Sequence, residues 1–144
     1  MKNIISLIVF FALLHTVQAK TMVFNVPKWT HIDETTNGNW ANWETTNARM
    51  FVNYTTDYTT SAITFDINPE TKYEIIEKVN HKSYTSMLAK RGDVIVEIEI
   101  RKLTKTTAEL AIYYKHTKDL TLGLKCLIQD FLSKKDMQEL FLLK

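Results

Sequence analysis

Trp29, Trp40 and Trp43 stand among Asn37, Asn39, Asn42 and Asn47. A flat indole flanked by carboxamides is the chemistry that holds a sugar: the ring stacks on an apolar sugar face while the amides donate to and accept from hydroxyls. Trp29, Trp40, Trp43, Asn37, Asn39 and Asn42 are therefore the candidate binding residues. A structural reading competes with this one. Trp40 and Trp43 are an odd number of positions apart, so on a strand they point to opposite faces and at most one is exposed.

Other chemistry-bearing residues form looser patterns. Beyond the N-terminal segment the histidines are His31, His81 and His116. A zinc or copper site needs three or four ligands converging on the ion, and none of the three has another ligand at short spacing. Glu97 and Glu99 share one face of a predicted strand, ~6.6 Å apart by the strand rise, a spacing that fits paired carboxylates acting on a glycoside. Their Lys and Arg neighbours equally fit an ordinary solvated face. No Gly-x-Ser-x-Gly motif is present, and glycine occurs only at 38, 92 and 123, so no loop cradles phosphate. Arg91-Gly92-Asp93 falls at a predicted hairpin tip, where an adhesion tripeptide would have to lie and where Gly and Asp are also common turn residues. Asn53-Tyr54-Thr55 is a glycosylation sequon, relevant only to a eukaryotic chain. These patterns lead to the expectation of a non-enzymatic protein with no catalytic residue, no metal and no cofactor.

The elements that must position these residues begin after a leader. Met1 to Ala19 carries Lys2, an apolar run from Ile4 to Leu14 and a Val17-Gln18-Ala19 ending with small residues at −3 and −1, the pattern of a cleavable secretory signal peptide cut before Lys20. The run is about half of the ~20 residues needed to cross a bilayer, and no later stretch serves, so no integral membrane segment is expected after cleavage. No Cys follows the cleavage point, which closes the bacterial lipoprotein route. The expected location is secreted or periplasmic. Removing residues 1–19 from 144 leaves 125, a usual length for one domain spanning 20–144. The remaining 17 basic and 16 acidic side chains nearly balance, which gives no reason to expect nucleic acid. Cys126 is the only cysteine, so no internal disulfide is possible, and Leu124, Leu127 and Ile128 around it favour a buried thiol.

From 21 to about 115 apolar residues recur at every second position, as in Ile63, Phe65 and Ile67, in Val94, Val96, Ile98 and Ile100, and in Ala108, Leu110, Ile112 and Tyr114. Asn37-Gly38, Asn68-Pro69 and Gly92-Asp93 punctuate them as turns or stops. The reading is nine strands near 21–27, 29–36, 40–46, 49–55, 61–67, 72–79, 83–90, 94–102 and 107–115. The predicted fold class is mainly β, an antiparallel meander forming a small barrel or sandwich. Ser133 and Asp136 approximate a capping box, and Met137, Leu140 and Phe141 share a helical face. This predicts a short C-terminal helix over 134–143 closing one end of the sheet, with a final strand through Phe141-Leu142-Leu143 as the alternative.

The order signal peptide, Trp29, Trp40-Ala-Asn-Trp43, Met50-Phe51-Val52-Asn53, Ile63-Thr64-Phe65-Asp66-Ile67 and Tyr73-Glu74-Ile75-Ile76 resembles short exported β-sheet proteins of unknown function from Bacteroidetes-type bacteria. The likeness covers residues 22 to 115. It implies a periplasmic or secreted setting and carries no activity and no site residues.

The leading functional expectation is a small exported binding or interaction module, a monomer or homodimer, that meets a glycan or protein partner through the Trp-, Asn- and Thr-rich stretch 29–60. One alternative is a barrel that carries a small hydrophobic ligand, with Val96, Ile98 and Tyr114 lining its cavity. It resembles the lipocalin-type arrangement in size and strand count, although Pro27-Lys28 stands where that family has Gly-x before Trp. The other is a cell-wall or glycan hydrolase, which requires His31, His81, His116 or Glu97 and Glu99 to converge in a cleft.

Overall fold

The computed structural model describes residues 18–130 and 134–143. Eight strands run in chain order: β1 (Ala19–Ile32), β2 (Glu44–Thr55), β3 (Ser61–Phe65), β4 (Asn68–Asn80), β5 (Thr85–Arg91), β6 (Val94–Lys102), β7 (Thr107–His116) and β8 (Thr121–Asp130). Each pairs antiparallel with the next, and β8 pairs with β1, so the sheet closes into a barrel. The helix α1 (Lys134–Leu140) follows. Most of the expected signal peptide, and the Ser133 cap of the expected helix, lie outside the described residues.

The period-two pattern sets the two faces of the wall. Met22, Phe24 and Val26 on β1, Met50 and Val52 on β2, Ile63 on β3, Met87 on β5, Val96, Ile98 and Ile100 on β6, Leu110 and Ile112 on β7, and Cys126 and Ile128 on β8 all face inward and are buried. Outward positions of β4 to β6 carry Lys72, Glu74, Glu77, Lys90, Glu97, Glu99 and Arg101. The same outer face also carries the exposed apolar side chains of Val79, Leu88 and Ile95. No described helix is long and apolar enough to cross a membrane.

The strand count differs from the sequence reading in three places. The expected strands 21–27 and 29–36 are one, β1, because Pro27 is absorbed in a bulge where the pairings of β1 with both β2 and β8 shift register. Proline lacks the N–H that a central ladder needs, and a bulge is where a strand tolerates it. The expected strand 40–46 is not formed over its first half, since 39–43 is irregular, and its remainder joins the expected 49–55 in one strand, β2. β8 lies beyond the last expected strand. Its inward row of Leu124, Cys126 and Ile128 alternates with Lys125, Leu127 and Gln129, and the apolar Leu127 on the outward side blurs the pattern.

Turns are built from threonine and acidic side chains. Thr104 Oγ1 accepts from Thr106 N and Thr107 N, Thr117 Oγ1 accepts from Leu120 N, and Asp57 accepts from the hydroxyls of Thr55 and Thr59. Such side chains replace backbone partners that the ladder no longer supplies. Gly92-Asp93 forms the expected two-residue reversal, with Arg91 paired to Val94 and Gly92 at φ +58. The β3–β4 reversal sits at Asp66-Ile67 and Asn68 opens β4, so Asn68-Pro69 begins a strand instead of stopping one.

α1 closes the end of the barrel where β1 starts and β8 ends, here the lower end. Met137, Leu140 and Leu143 enter the core. The Tyr54 hydroxyl donates to the Glu139 carboxylate at 2.5 Å, and Lys78 Nζ donates to the Phe141 carbonyl at 2.7 Å. Burial, then the Glu139 carboxylate, pushes the Tyr54 hydroxyl up, so it stays a donor. Burial lowers the Lys78 ammonium.

Two outcomes follow from this packing. Leu140→Ala removes a fully buried plug residue and is expected to cost about 2–5 kcal/mol in denaturant unfolding, while Leu142→Ala, whose side chain is 56% exposed, costs less than about 0.5 kcal/mol. Burial pushes the Cys126 thiol up to about 12. A thiol reagent at neutral pH should therefore leave the native chain unlabelled and modify it fully in denaturant; rapid native labelling would mean that the β7–β8–β1 wall opens.

Candidate binding surface

The connection from β1 to β2 folds back along the outside of the barrel. Asp33 caps a short 3-10 turn, Glu34–Thr36, and Asn37 leaves it in the left-handed region at φ 52, followed by Gly38 at φ 77. The returning segment docks on β1: Ala41 N donates to the His31 carbonyl at 2.9 Å, and Thr30 Oγ1 donates to the Ala41 carbonyl at 2.7 Å. Thr30 and Ile32 face outward yet are buried.

This strap holds Trp40 over β8. Lys125 Nζ lies 4.3 Å from the centre of the Trp40 indole, and Tyr113 meets the ring edge-on at 6.1 Å. Gly123 lies beneath. A Cβ there would stand 2.7 Å from the Ile112 carbonyl oxygen and 3.5 Å from the Trp40 ring, so the close approach requires glycine. Trp40 is thus a half-buried anchor stabilised by a cation–π contact.

Trp43 comes from the same irregular segment and differs in role. It is 45% exposed and lines a shallow depression with Lys28, Leu103, Glu109 and Leu127. The expectation that Trp40 and Trp43 take opposite faces of a strand fails because neither is on one. Trp29 precedes the strap on β1, opposite Cys126, and packs half-buried against the core with the His31 ring 5.8 Å away. Asn37 and Asn39 are exposed in the turn, joined by a bond from Asn39 Nδ2 to the Asn37 carbonyl at 3.4 Å; Asn42 is exposed between the two Trp. Among the six candidates, then, Trp29 packs against the core, Trp40 is an anchor, Asn37 and Asn39 shape the turn, Asn42 is exposed between the rings, and Trp43 offers an open ring.

Besides Asn47 and Glu99, the sequence did not single out the polar residues of the wall near that ring. Beside it, at the Pro27 bulge, Asn25, Thr46, Asn47 and Gln129 line a notch with Pro27, Val26 and Ala48. Ala48 N turns to Thr46 Oγ1 at 3.1 Å there. Further up β8, a third depression is lined by Tyr84, Glu99, Arg101, Glu109, Ala111, Tyr113 and Lys125. Lys125 and Glu109 pair at 3.6 Å, and Arg101 stands opposite Glu109 in the ladder. Burial first, then Glu99 and Glu97, pushes the Tyr113 hydroxyl up to about 12, so it is a neutral donor at pH 7. These residues were hidden from the sequence because β8 is the strand that gathers them.

The other candidates do not converge. His31 and His116 belong to the upper end, where β1 and β7 finish, while His81 lies in the β4–β5 reversal at the lower end, stacked on Tyr84 at 4.3 Å. Glu97 and Glu99 share the outward face of β6; Glu99 stands opposite Ser86, whose hydroxyl pairs with His81 Nε2 at 2.9 Å, while His31 and His116 are at the other end of the barrel. No group of three or more His, Cys, Asp or Glu among the described residues is placed to hold a metal ion. Arg91 lies over the Tyr114 ring at 5.0 Å. Phe24, Met50, Val52, Ile63, Ile98, Leu110, Ile112 and Ile128 expose 0% of their surface, so no void wide enough for water touches them from within. Val96 and Ile98 are sealed, and Tyr114 bonds Tyr73 across 2.9 Å, so the positions expected to line a carrier cavity fill the lumen instead.

Gly123→Val should displace Trp40 and push against the Ile112 carbonyl. The expected result is a loss of about 1–3 kcal/mol with a red-shifted indole emission; an unchanged spectrum and midpoint would remove glycine's stated role. No family model, curated protein or solved structure matches the chain.

Proposed function

We propose that this protein is an exported, non-enzymatic binding module that holds a glycan against the outer wall of its barrel, with Trp43 as the stacking platform. One observation carries the reading: an indole 45% exposed is fixed beside a notch of three carboxamides, Asn25, Asn47 and Gln129. Burying an indole of that exposure needs a partner with an apolar face, and amides beside it need a partner rich in hydroxyls. A pyranose offers both. Export rests on the leader pattern of Met1–Ala19, whose last residue is also the first of β1. The filled lumen favours a surface over an interior ligand.

The test is binding of neutral glycans, read by isothermal titration calorimetry and indole fluorescence. Trp43→Ala should weaken binding by about tenfold or more, equivalent to ~1.4 kcal/mol, with the unfolding midpoint unchanged. Trp40→Ala should lower the midpoint as well, because that ring packs on Gly123 and Lys125. Undiminished binding by Trp43→Ala would sink the proposal.

A further inference from the structure

We infer that Trp43 is the middle of three consecutive subsites, and that the surface is a track for a linear, uncharged oligosaccharide lying along β8. The inference rests on the glycan reading above and goes beyond it in naming the extent and charge of the ligand.

The outward side chains of β8 mark the track. Gln129 lines the amide notch, Leu127 the depression under Trp43, and Lys125 the depression beside Tyr113. These residues alternate along one strand, so their side chains leave the wall at intervals of ~7 Å. The second and third sites are contiguous, since Glu109, opposite Leu127 on β7, lines both. Trp43 overhangs the middle site and Trp40 stands over Lys125 at the far one, so both rings come from the same strap.

The chemistry changes along the line in a way that suits a polyhydroxy chain. At the Gln129 end every polar side chain is an uncharged amide or hydroxyl that both donates and accepts. At the Lys125 end two carboxylates, Glu99 and Glu109, meet two cations, Arg101 and Lys125, beside two phenols, Tyr84 and Tyr113. The charges there offset one another, with Glu109 paired to Lys125 at 3.6 Å and Arg101 opposite it in the ladder. An anionic polymer would find no surplus positive charge at that end, whereas sugar hydroxyls bond to either sign of charged group.

The experiment titrates the mature chain with oligomers of one to six units of β-linked glucose, mannose and N-acetylglucosamine, with polygalacturonate as the anionic comparison. The expected result is an affinity that rises by about tenfold or more from one unit to three in at least one series and then levels off. Asn47→Ala with Gln129→Ala at one end, and Glu99→Ala with Tyr84→Ala at the other, should each weaken the trimer severalfold. The Glu99 and Tyr84 pair should leave the monosaccharide, which needs Trp43 and the amides beside it, nearly unchanged. An affinity that depends on Trp43 but is flat with length, or insensitive to one end, overturns the track and leaves the single site standing. Tighter binding of polygalacturonate than of every neutral oligomer overturns the charge assignment. Absence of binding by any oligomer overturns both the track and the glycan reading.

Discussion

The pairing of β1 with β8 is the constraint on which the rest depends. A sheet of seven hairpin connections has two open edges until its first and last strands meet, and open edges recruit other chains. Here the meeting is imperfect by design: the register shifts between Asn25 and Lys28, at Pro27. That bulge relieves the missing donor of proline and opens the amide notch on the outside of the wall. Closure and the candidate surface therefore share one local irregularity.

The barrel divides its tasks by face and by end. Its lumen is closed-packed with Ile, Val, Leu, Met and Phe, and α1 extends that core through the lower end, so the inside serves stability. The outside of β4 to β6 is checkered with charge. Among the described residues the strap lies on the wall over β1 and β8, and there Gly123 gives Trp40 room. Trp40 supplies the weight that holds the strap down, which leaves Trp43 at its end free to present a ring.

Much of this was legible in the sequence, and the parts that were not share a physical cause. Period two marked the walls of β3, β6 and β7, Gly92-Asp93 marked its turn, and Met137 with Leu140 marked a plugging helix, because each is a local pattern. β8 was missed because Leu127 puts an apolar residue on its outer side, where the strap gives it a neighbour the strand alone does not reveal. The same absence hid the surface, since Glu109, Lys125 and Gln129 are gathered only by that strand. The Thr and Asn richness of 30–64 was ambiguous for another reason. Thr35, Thr36, Thr55 and Thr59 hold turns, and Asn37 takes a left-handed conformation, so composition suited to hydroxyl recognition is also composition suited to loops.

Joining the first strand to the last also sets the order of events during synthesis. β1 is the first element to emerge from any channel threaded from the N-terminus, yet its partner at Thr121–Asp130 is nearly the last, about a hundred residues later. Until then β1 has only β2 to pair with, and a two-stranded ribbon is marginal in water. The plug α1 arrives later still. The barrel therefore stays unsealed until β8 has emerged, and its lower end can be plugged only after that.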